Sequence, residues 1–195
     1  MIILNIAAGK IKPIIGFPNN NVIINVDTSY YYYDDPIYVE DRIKHFKENG
    51  IFRNEEIFCN EDIFTFMERT KIIFDKICIY RFLEHVPMDK VLYFIYLLST
   101  VINKKQCVDI IVPNYERLAM MILNENPSSK DFDSHNITLT TELLNEPSCP
   151  HASIWTIGRA KYFFELEKRF EITDYYPNFQ FDGRDIYLRF TAKRV

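Results

Sequence analysis

The chain has 195 residues, enough for one domain over 1–195, since two halves of this length would each lie near the lower size limit for a stable core. With 48% hydrophobic and 26% charged residues, it is typical of globular proteins and unlike disordered or fibrous ones. The net charge of −4 argues against strong non-specific binding to nucleic acids or anionic membranes, although it is compatible with a local basic groove.

Cysteine spacing and apolar segments limit the site types and the location. The four cysteines lie far apart in sequence, at Cys59, Cys78, Cys107 and Cys149. No CxxC pair is present, so we expect no metal site. The first ten residues lack a basic leader, and the longest apolar stretch, 91–98, is far shorter than the ~20 residues of a membrane-spanning helix. These features predict a soluble, cytoplasmic protein.

Short apolar runs that stop at small or polar residues predict buried strands. The first run, Ile2–Ile6, stops at the small residues that follow it, and the second, Val22–Val26, stops at Asp27. Further strands are predicted near Glu56–Cys59 and at Ile72–Tyr80, Val108–Val112, Phe170–Tyr176 and Asp185–Lys193. The last of these alternates between two faces and follows Asp182-Gly183, a tight-turn pair that predicts a final hairpin.

Helical spacing separates these runs. Helices are predicted from Pro36 to Gly50, after Asp62, from Pro87 to about Ile102, from Tyr115 to about Leu123 and from Thr156 to Lys168, with a polar loop at 124–136. The third helix carries the buried stripe Val91, Leu92, Ile95 and Leu98. Strands that alternate with helices predict a mostly parallel sheet covered on both sides.

Ligands of such sheets gather at the carboxyl ends of the strands. After the first strand, the small residues Ala7, Ala8 and Gly9 let a ligand approach the backbone amides closely. After the second, the Asp27 carboxylate can accept both hydroxyls of a ribose. Asp62, the run from Arg81 to His85 and Asn114 follow the third, fourth and fifth strands.

The order of LNIAAGK (4–10), NVDTSY (25–30), the Asp62-Ile63 step, IYRFLEHV (79–86) and DIIVPNY (109–115) resembles S-adenosylmethionine-dependent methyltransferases of the Rossmann-like kind. It is most similar to small members in which a short loop replaces the first helix. The resemblance implies an α/β three-layer sandwich of about seven strands, mostly parallel with an antiparallel last strand. In two places the sequence departs from the pattern: the turn reads Ala-Ala-Gly-Lys, and Asn5 stands where an acidic residue is common.

By position, the resemblance implies that Ala7, Ala8 and Gly9 hold the methionine part of S-adenosylmethionine, that Asp27 binds the ribose and that Asp62 and Ile63 meet the adenine. It also implies that Arg81 and Phe82 line the inner side of the cofactor. Glu84 and His85, the candidate catalytic residues, then lie nearer the acceptor. His151 and Trp155, before the helix at 156–168, are candidates for acceptor binding.

Each assignment has a structural alternative. Asp27 can cap a turn and Asp62 can cap a helix. Glu84 can pair with a base, and His85 and His151 can be buried structural links. The leading hypothesis is a methyltransferase that acts on a small-molecule or nucleotide-type acceptor, and the alternative is a non-catalytic binding or assembly module of the same fold. A nucleotide-binding enzyme of another Rossmann type is less favoured because GxGxxG and GKS/GKT motifs are absent.

Overall fold

A computed structural model describes residues 1–6, 21–28, 41, 44, 45, 48, 55–124, 152–166, 168–181 and 184–195. Seven strands form one sheet: β1 (Ile2–Ile6), β2 (Val22–Val26), β3 (Glu55–Cys59), β4 (Phe74–Tyr80), β5 (Ile102–Pro113), β6 (Phe170–Phe181) and β7 (Arg184–Arg194). Within the described ranges, four helices have defined bounds: α1 (Ile63–Arg69), α2 (Val91–Val101), α3 (Tyr115–Asn124) and α4 (Ile157–Leu166). Two single 3₁₀ turns, Leu83–His85 and Met88–Lys90, lie between β4 and α2.

The strand order is β3-β2-β1-β4-β5-β7-β6. All pairings from β3 through β5 are parallel, whereas β7 runs antiparallel to both of its neighbours, β5 and β6. Successive strands are added on one side of β1 up to β3 and on its other side from β4 onward. The order therefore switches between β1 and β4, and an open α/β sheet forms its ligand crevice at such a position. The mostly parallel sheet with an antiparallel last strand is therefore confirmed.

Two layers of apolar side chains cover the sheet. On one face, Leu4, Ile24 and Ile77 pack with residues of α1, α2 and α4, among them Phe66 and Phe94. On the opposite face, Ile3, Ile23 and Tyr80 form a second cluster with Leu118 of α3. Burial on both faces explains why four of the five residues in β1 and in β2 are apolar and why the three-layer arrangement could be predicted from these strands.

The boundaries differ from the sequence-based ones in specific places. The helix predicted from Pro87 begins at Val91, because the chain first makes the 3₁₀ turn at Met88–Lys90, and Leu92 is only half-buried beside the fully buried stripe. β5 begins at Ile102, six residues earlier than predicted, and β6 extends to Phe181. The turn at Asp182-Gly183 and the loop at 125–136 lie outside the described residues, as does most of the predicted helix at 36–50.

None of the helices in the described part of the chain is long and apolar enough to cross a membrane.

Candidate functional site

The carboxyl ends of β2 and β3 are tied together at Asp27. Its backbone N–H donates to the carbonyl of Cys59 at 3.1 Å, and the residue is half-buried directly after the last buried residue of β2, Val26. A half-buried carboxylate at this edge is reachable by a ligand and partly shielded from water, which are the conditions under which a charge-assisted hydrogen bond contributes most.

Asp62 is exposed at the start of α1 and caps it. Its Oδ1 accepts from the backbone N–H groups of Phe64 and Thr65, both at 3.1 Å. Asp62 therefore caps α1, and a contact with adenine would have to be made beside the cap. Ile63 is 5% exposed, so its side chain belongs to the core and only its backbone is suited to meet a ligand.

The chain leaves β4 through a left-handed residue, Arg81, whose φ is 56°. The N–H of Arg81 donates to the Ile111 carbonyl at 2.8 Å, and its guanidinium lies 5.9 Å from the centroid of the Tyr187 ring. The next residue, Phe82, turns back toward the helical layer, with its ring 5.7 Å from that of Phe94. Arg81 and Phe82 therefore extend toward opposite faces of the sheet.

The 3₁₀ turn after Phe82 is locked to the segment before α4. The Glu84 carbonyl accepts from the N–H groups of Ala152 and Ser153 at 2.8 and 2.9 Å. The Leu83 carbonyl accepts from Ser153 Oγ at 3.0 Å and from Trp155 Nε1 at 3.2 Å. These bonds bring Trp155 to the Leu83–His85 turn across about 70 residues of sequence.

Within this arrangement the candidate residues have different exposures. Glu84 and Trp155 are fully buried, and the indole packs against Phe163 at 6.1 Å. His85 is half-buried, and its N–H closes the turn onto the Phe82 carbonyl at 2.8 Å. His85 is thus the candidate with a side chain nearer to solvent, while Trp155 is a core residue of the helical layer. His151, Ala7, Ala8 and Gly9 lie outside the described residues.

Asn114, at the end of β5, is a structural residue of the same edge. Its Oδ1 accepts from the N–H groups of Glu116 and Arg117 at 3.1 and 3.3 Å, which caps α3. Its Nδ2 donates to the Pro177 carbonyl of β6, and its N–H donates to the Ile186 carbonyl of β7. The buried Asn114 therefore links α3, β6 and β7 through its side chain and its backbone N–H. Its position before a predicted helix does not by itself predict the links to β6 and β7.

Asn5 pairs with a second amide. On the face that carries Ile3 and Ile23, Asn5 Nδ2 donates to Asn25 Oδ1 at 2.8 Å, and both residues are buried. Their strands are in register at this position. Two neutral side chains thus link β1 and β2 at this position.

The described residues contain no group of three His, Cys, Asp or Glu side chains that could hold a metal ion. No protein-family model and no curated protein matches the sequence. Solved structures do match. A SAM-dependent methyltransferase from Methanosarcina mazei aligns with all of this chain and 92% of its own, with a TM-score of 0.53 and 12% identity.

Two further matches have the same TM-score of 0.50 and the same identity of 12%. The magnesium protoporphyrin IX methyltransferase from Synechocystis, crystallised with bound S-adenosylhomocysteine (SAH), aligns with 99% of this chain and 73% of its own. The mitomycin 7-O-methyltransferase aligns with the whole chain, which spans 49% of its length. At this identity the likeness concerns the fold, and the chain has the fold of S-adenosylmethionine-dependent methyltransferases.

Proposed function

We propose that the protein binds S-adenosylmethionine at the carboxyl edge of β1–β4 and transfers a methyl group to a small-molecule or nucleotide-type acceptor. The strand order β3-β2-β1-β4-β5-β7-β6, with β7 reversed, is the observation that carries this assignment. It places the ends of β1 and β2 and the exit from β4 around one crevice, where ligands of open α/β sheets bind.

The hydrogen-bonding groups at this edge fit the ribose and the adenine. Asp27 supplies two carboxylate oxygens at the end of β2, which can accept the two ribose hydroxyls. Asp62 uses Oδ1 for its cap, so Oδ2 is the oxygen suited to the exocyclic amine of the adenine. The N–H of Ile63 takes no part in that cap and can donate to a ring nitrogen.

The methionine end and the inner wall involve different residues. Ala7, Ala8 and Gly9 follow β1 directly, and their small side chains would let the cofactor approach the backbone. Phe82 would provide an apolar wall, whereas the Arg81 guanidinium faces Tyr187 on the β7 side of the sheet. We therefore assign the backbone of Arg81, rather than its charge, to the cofactor.

When bound, S-adenosylmethionine supplies an electrophilic methyl group, and the protein's contribution is to align the acceptor and to exclude water. Where the acceptor must lose a proton, a base is needed. His85 is the better candidate, since its side chain is half-buried at the edge, whereas Glu84 is fully buried behind the turn. The Glu84 backbone and the buried Trp155 would then hold the turn on the acceptor side in place, and His151 stays the candidate for contact with the acceptor.

The same contacts favour a second candidate, a non-catalytic binding or assembly module. Glu84 and Trp155 are both fully buried, and hydrogen bonds to Ser153 lock the turn between them. Trp155, one of the four residues assigned to catalysis and acceptor binding, therefore has a structural reason to be present, and the backbone carbonyl of Glu84 takes part in the same contacts. A protein without turnover could keep this arrangement for stability alone.

Calorimetric titration with SAH and, separately, with ATP distinguishes these functions. We expect saturable binding of SAH and much weaker binding of ATP, which shares the ribose and adenine but lacks the amino-acid end. An absence of heat with millimolar SAH would overturn the enzyme assignment in favour of the module, and preferential ATP binding would indicate a different nucleotide-binding function. If SAH binds, incubation with methyl-labelled S-adenosylmethionine and a panel of acceptors then tests turnover.

A further inference from the structure

Three pairs of adjacent basic residues from distant parts of the sequence meet at the amino edge of the sheet, opposite the proposed cofactor site. They are Lys104-Lys105 at the start of β5, Lys168-Arg169 before β6 and Lys193-Arg194 at the end of β7, and we call them the basic end. Because β7 is antiparallel to β5 and β6, its last residues lie beside their first ones.

The strand register fixes this convergence. Lys193 lies opposite Cys107 of β5, two residues after Lys105, and Arg194 lies opposite Phe170, directly after Arg169. The N–H of Val195 donates to the Arg169 carbonyl at 3.1 Å. Neighbouring strands are about 4.8 Å apart, so the three strands that carry these pairs span about 10 Å across the sheet.

The charge of the basic end contrasts with that of the chain. Without these six residues, 17 basic residues face 27 acidic ones, a net charge of −10. Two acids lie beside these lysines. The Glu165 carbonyl accepts from the N–H of Lys168, and Glu171 lies opposite Lys193 in the strand register. Nevertheless, in the part of the chain that the structure describes, the ion pairs involve other residues, so the four lysines at 104, 105, 168 and 193 make none. The six basic residues outnumber the described acids at this edge, Asp75, Glu165 and Glu171.

Aromatic side chains of α2 border the basic end. The Arg169 guanidinium lies 4.9 Å from the Tyr96 ring centroid, and Tyr96 stacks on Tyr93 at 6.2 Å with an interplanar angle of 16°. Tyr96 and Tyr93 are 40% and 46% exposed. Thr100, on the same side of α2, and Asn103 connect these rings to Lys104 along an exposed strip.

We propose that the basic end and the Tyr93–Tyr96 stack bind single-stranded nucleic acid without sequence preference. Lysine pairs neutralise backbone phosphates, while exposed rings beside them accept unpaired bases by stacking. Tyr93 donates to the Glu68 carboxylate at 2.7 Å, and this negative charge lowers the affinity of the Tyr93 end of the surface for any polyanion. The overall negative charge keeps the binding weak, and the phosphate contacts make it strongly dependent on salt.

Two of the lysines allow a test that separates charge from folding. Lys105 and Lys168 have φ angles of 68° and 53°, a conformation that glycine adopts without strain. Lys105→Gly/Lys168→Gly thus removes two charges while relieving the backbone. The matched control, Lys90→Ala/Lys161→Ala, removes two exposed lysines located elsewhere.

Fluorescence anisotropy with a labelled 20-nucleotide oligo(dT), at salt concentrations from 50 to 200 mM, measures the effect. We expect a dissociation constant of about 10⁻⁵ M at 50 mM salt for the wild type. For the glycine variant, the slope of log K against log salt should become shallower by about 1.4, since each phosphate contact contributes about 0.7. An unchanged slope, an equal change in the control, or no wild-type binding at 50 mM salt overturns the proposal.

Stacking is tested by Tyr96→Leu, which keeps an apolar side chain but removes the ring. We expect binding to oligo(dT) to weaken at least fivefold, with an unchanged salt slope. Wild-type affinity in this variant, or equal affinity for a 20-base-pair duplex, overturns the single-strand assignment. Binding to vesicles of phosphatidylcholine and phosphatidylserine without binding to oligo(dT) shows instead that the surface is a membrane contact.

Discussion

Asp109 of β5 and Arg189 of β7 form a two-pronged ion pair across the antiparallel junction of the sheet. Nε and Nη2 of Arg189 lie 2.9 Å from Oδ1 and Oδ2 of Asp109, whose side chain is 3% exposed. Tyr80 adds a hydrogen bond to Oδ2 at 3.2 Å, and the Lys76 ammonium lies 3.9 Å from the same oxygen. This cluster links the parallel strands β4 and β5 to the reversed strand β7.

Asp109→Asn should lower the free energy of unfolding by about 3 kcal/mol, because it leaves the half-buried guanidinium without its charge partner. Replacing both partners, in Asp109→Asn/Arg189→Met, should recover part of this loss because no uncompensated charge remains. Urea denaturation of the two single variants and the double variant measures the coupling. If the effects of the single variants add without interaction, the pair does not stabilise the junction.

The parts of the fold that depend on local sequence patterns could be predicted. β1 and β2 could be located because both faces are buried, so each is apolar apart from one asparagine, Asn5 or Asn25. The Asp109–Arg189 pair could not, because it joins residues 80 positions apart. A lone acid within the apolar run at 108–112 was a signal for a buried partner, but it did not identify which arginine.

The residues of the candidate site also fall into those that a local pattern marks and those that only long-range contacts bring together. Asp27 was found because it directly follows β2, and Asp62 because it lies three residues after the end of β3. Both lie at the expected edge of the sheet. The role of Ser153, whose hydroxyl lies between Leu83 and Trp155, carries no sequence signature. Long-range hydrogen bonds of this kind depend on how the segments dock, which single-sequence patterns do not encode.

Trp155→Phe should destabilise the protein by about 2 kcal/mol. The substitution keeps a ring against Phe163 but removes the indole N–H that donates to the Leu83 carbonyl and Ser153 Oγ. Trp155→Ala should cost about 3–5 kcal/mol through the cavity it leaves. Urea denaturation followed by circular dichroism measures both, with the exposed Tyr162→Ala as the control. A Phe variant as stable as the wild type contradicts the structural role of the indole.

Cys78 should make the protein less stable at alkaline pH. Burial raises the pKa of its thiol from 9.0 to about 11, so the unfolded chain loses this proton first as the pH rises. Its contribution is fully present below pH 9 and is lost toward pH 11, with a magnitude of about 2–3 kcal/mol. Denaturation at pH 8, 9, 10 and 11 should show a shallower decline for Cys78→Ala than for the wild type. Parallel declines in the two proteins would show that another group is responsible.

Asp27→Ala should weaken SAH binding at least tenfold without changing the melting temperature. Loss of charge-assisted bonds to the ribose hydroxyls costs roughly 1.5–3 kcal/mol, and ~1.4 kcal/mol corresponds to a factor of ten. The SAH affinity of Asp27→Asn, which keeps one acceptor oxygen, should lie between those of the wild type and Asp27→Ala. Calorimetry measures the affinities, and Asp89→Ala removes an exposed carboxylate near the same edge as the control. Equal affinities for wild type and Asp27→Ala would place the ribose elsewhere.

Asp62 combines a structural and a proposed binding role, and two substitutions separate them. Asp62→Ala removes the cap of α1 and should cost about 1 kcal/mol of stability, whereas Asp62→Ser retains a capping oxygen and should melt near the wild-type temperature.

Both variants lack the carboxylate, so both should bind SAH about twofold to tenfold more weakly, in line with the loss of one hydrogen bond to the adenine amine. Thermal unfolding without ligand measures the cap, and calorimetry with SAH measures the contact. The decisive protein is Asp62→Ser, since its folding is preserved. If it binds SAH as tightly as the wild type, Asp62 serves only as the cap of α1, and the adenine must be recognised by other groups.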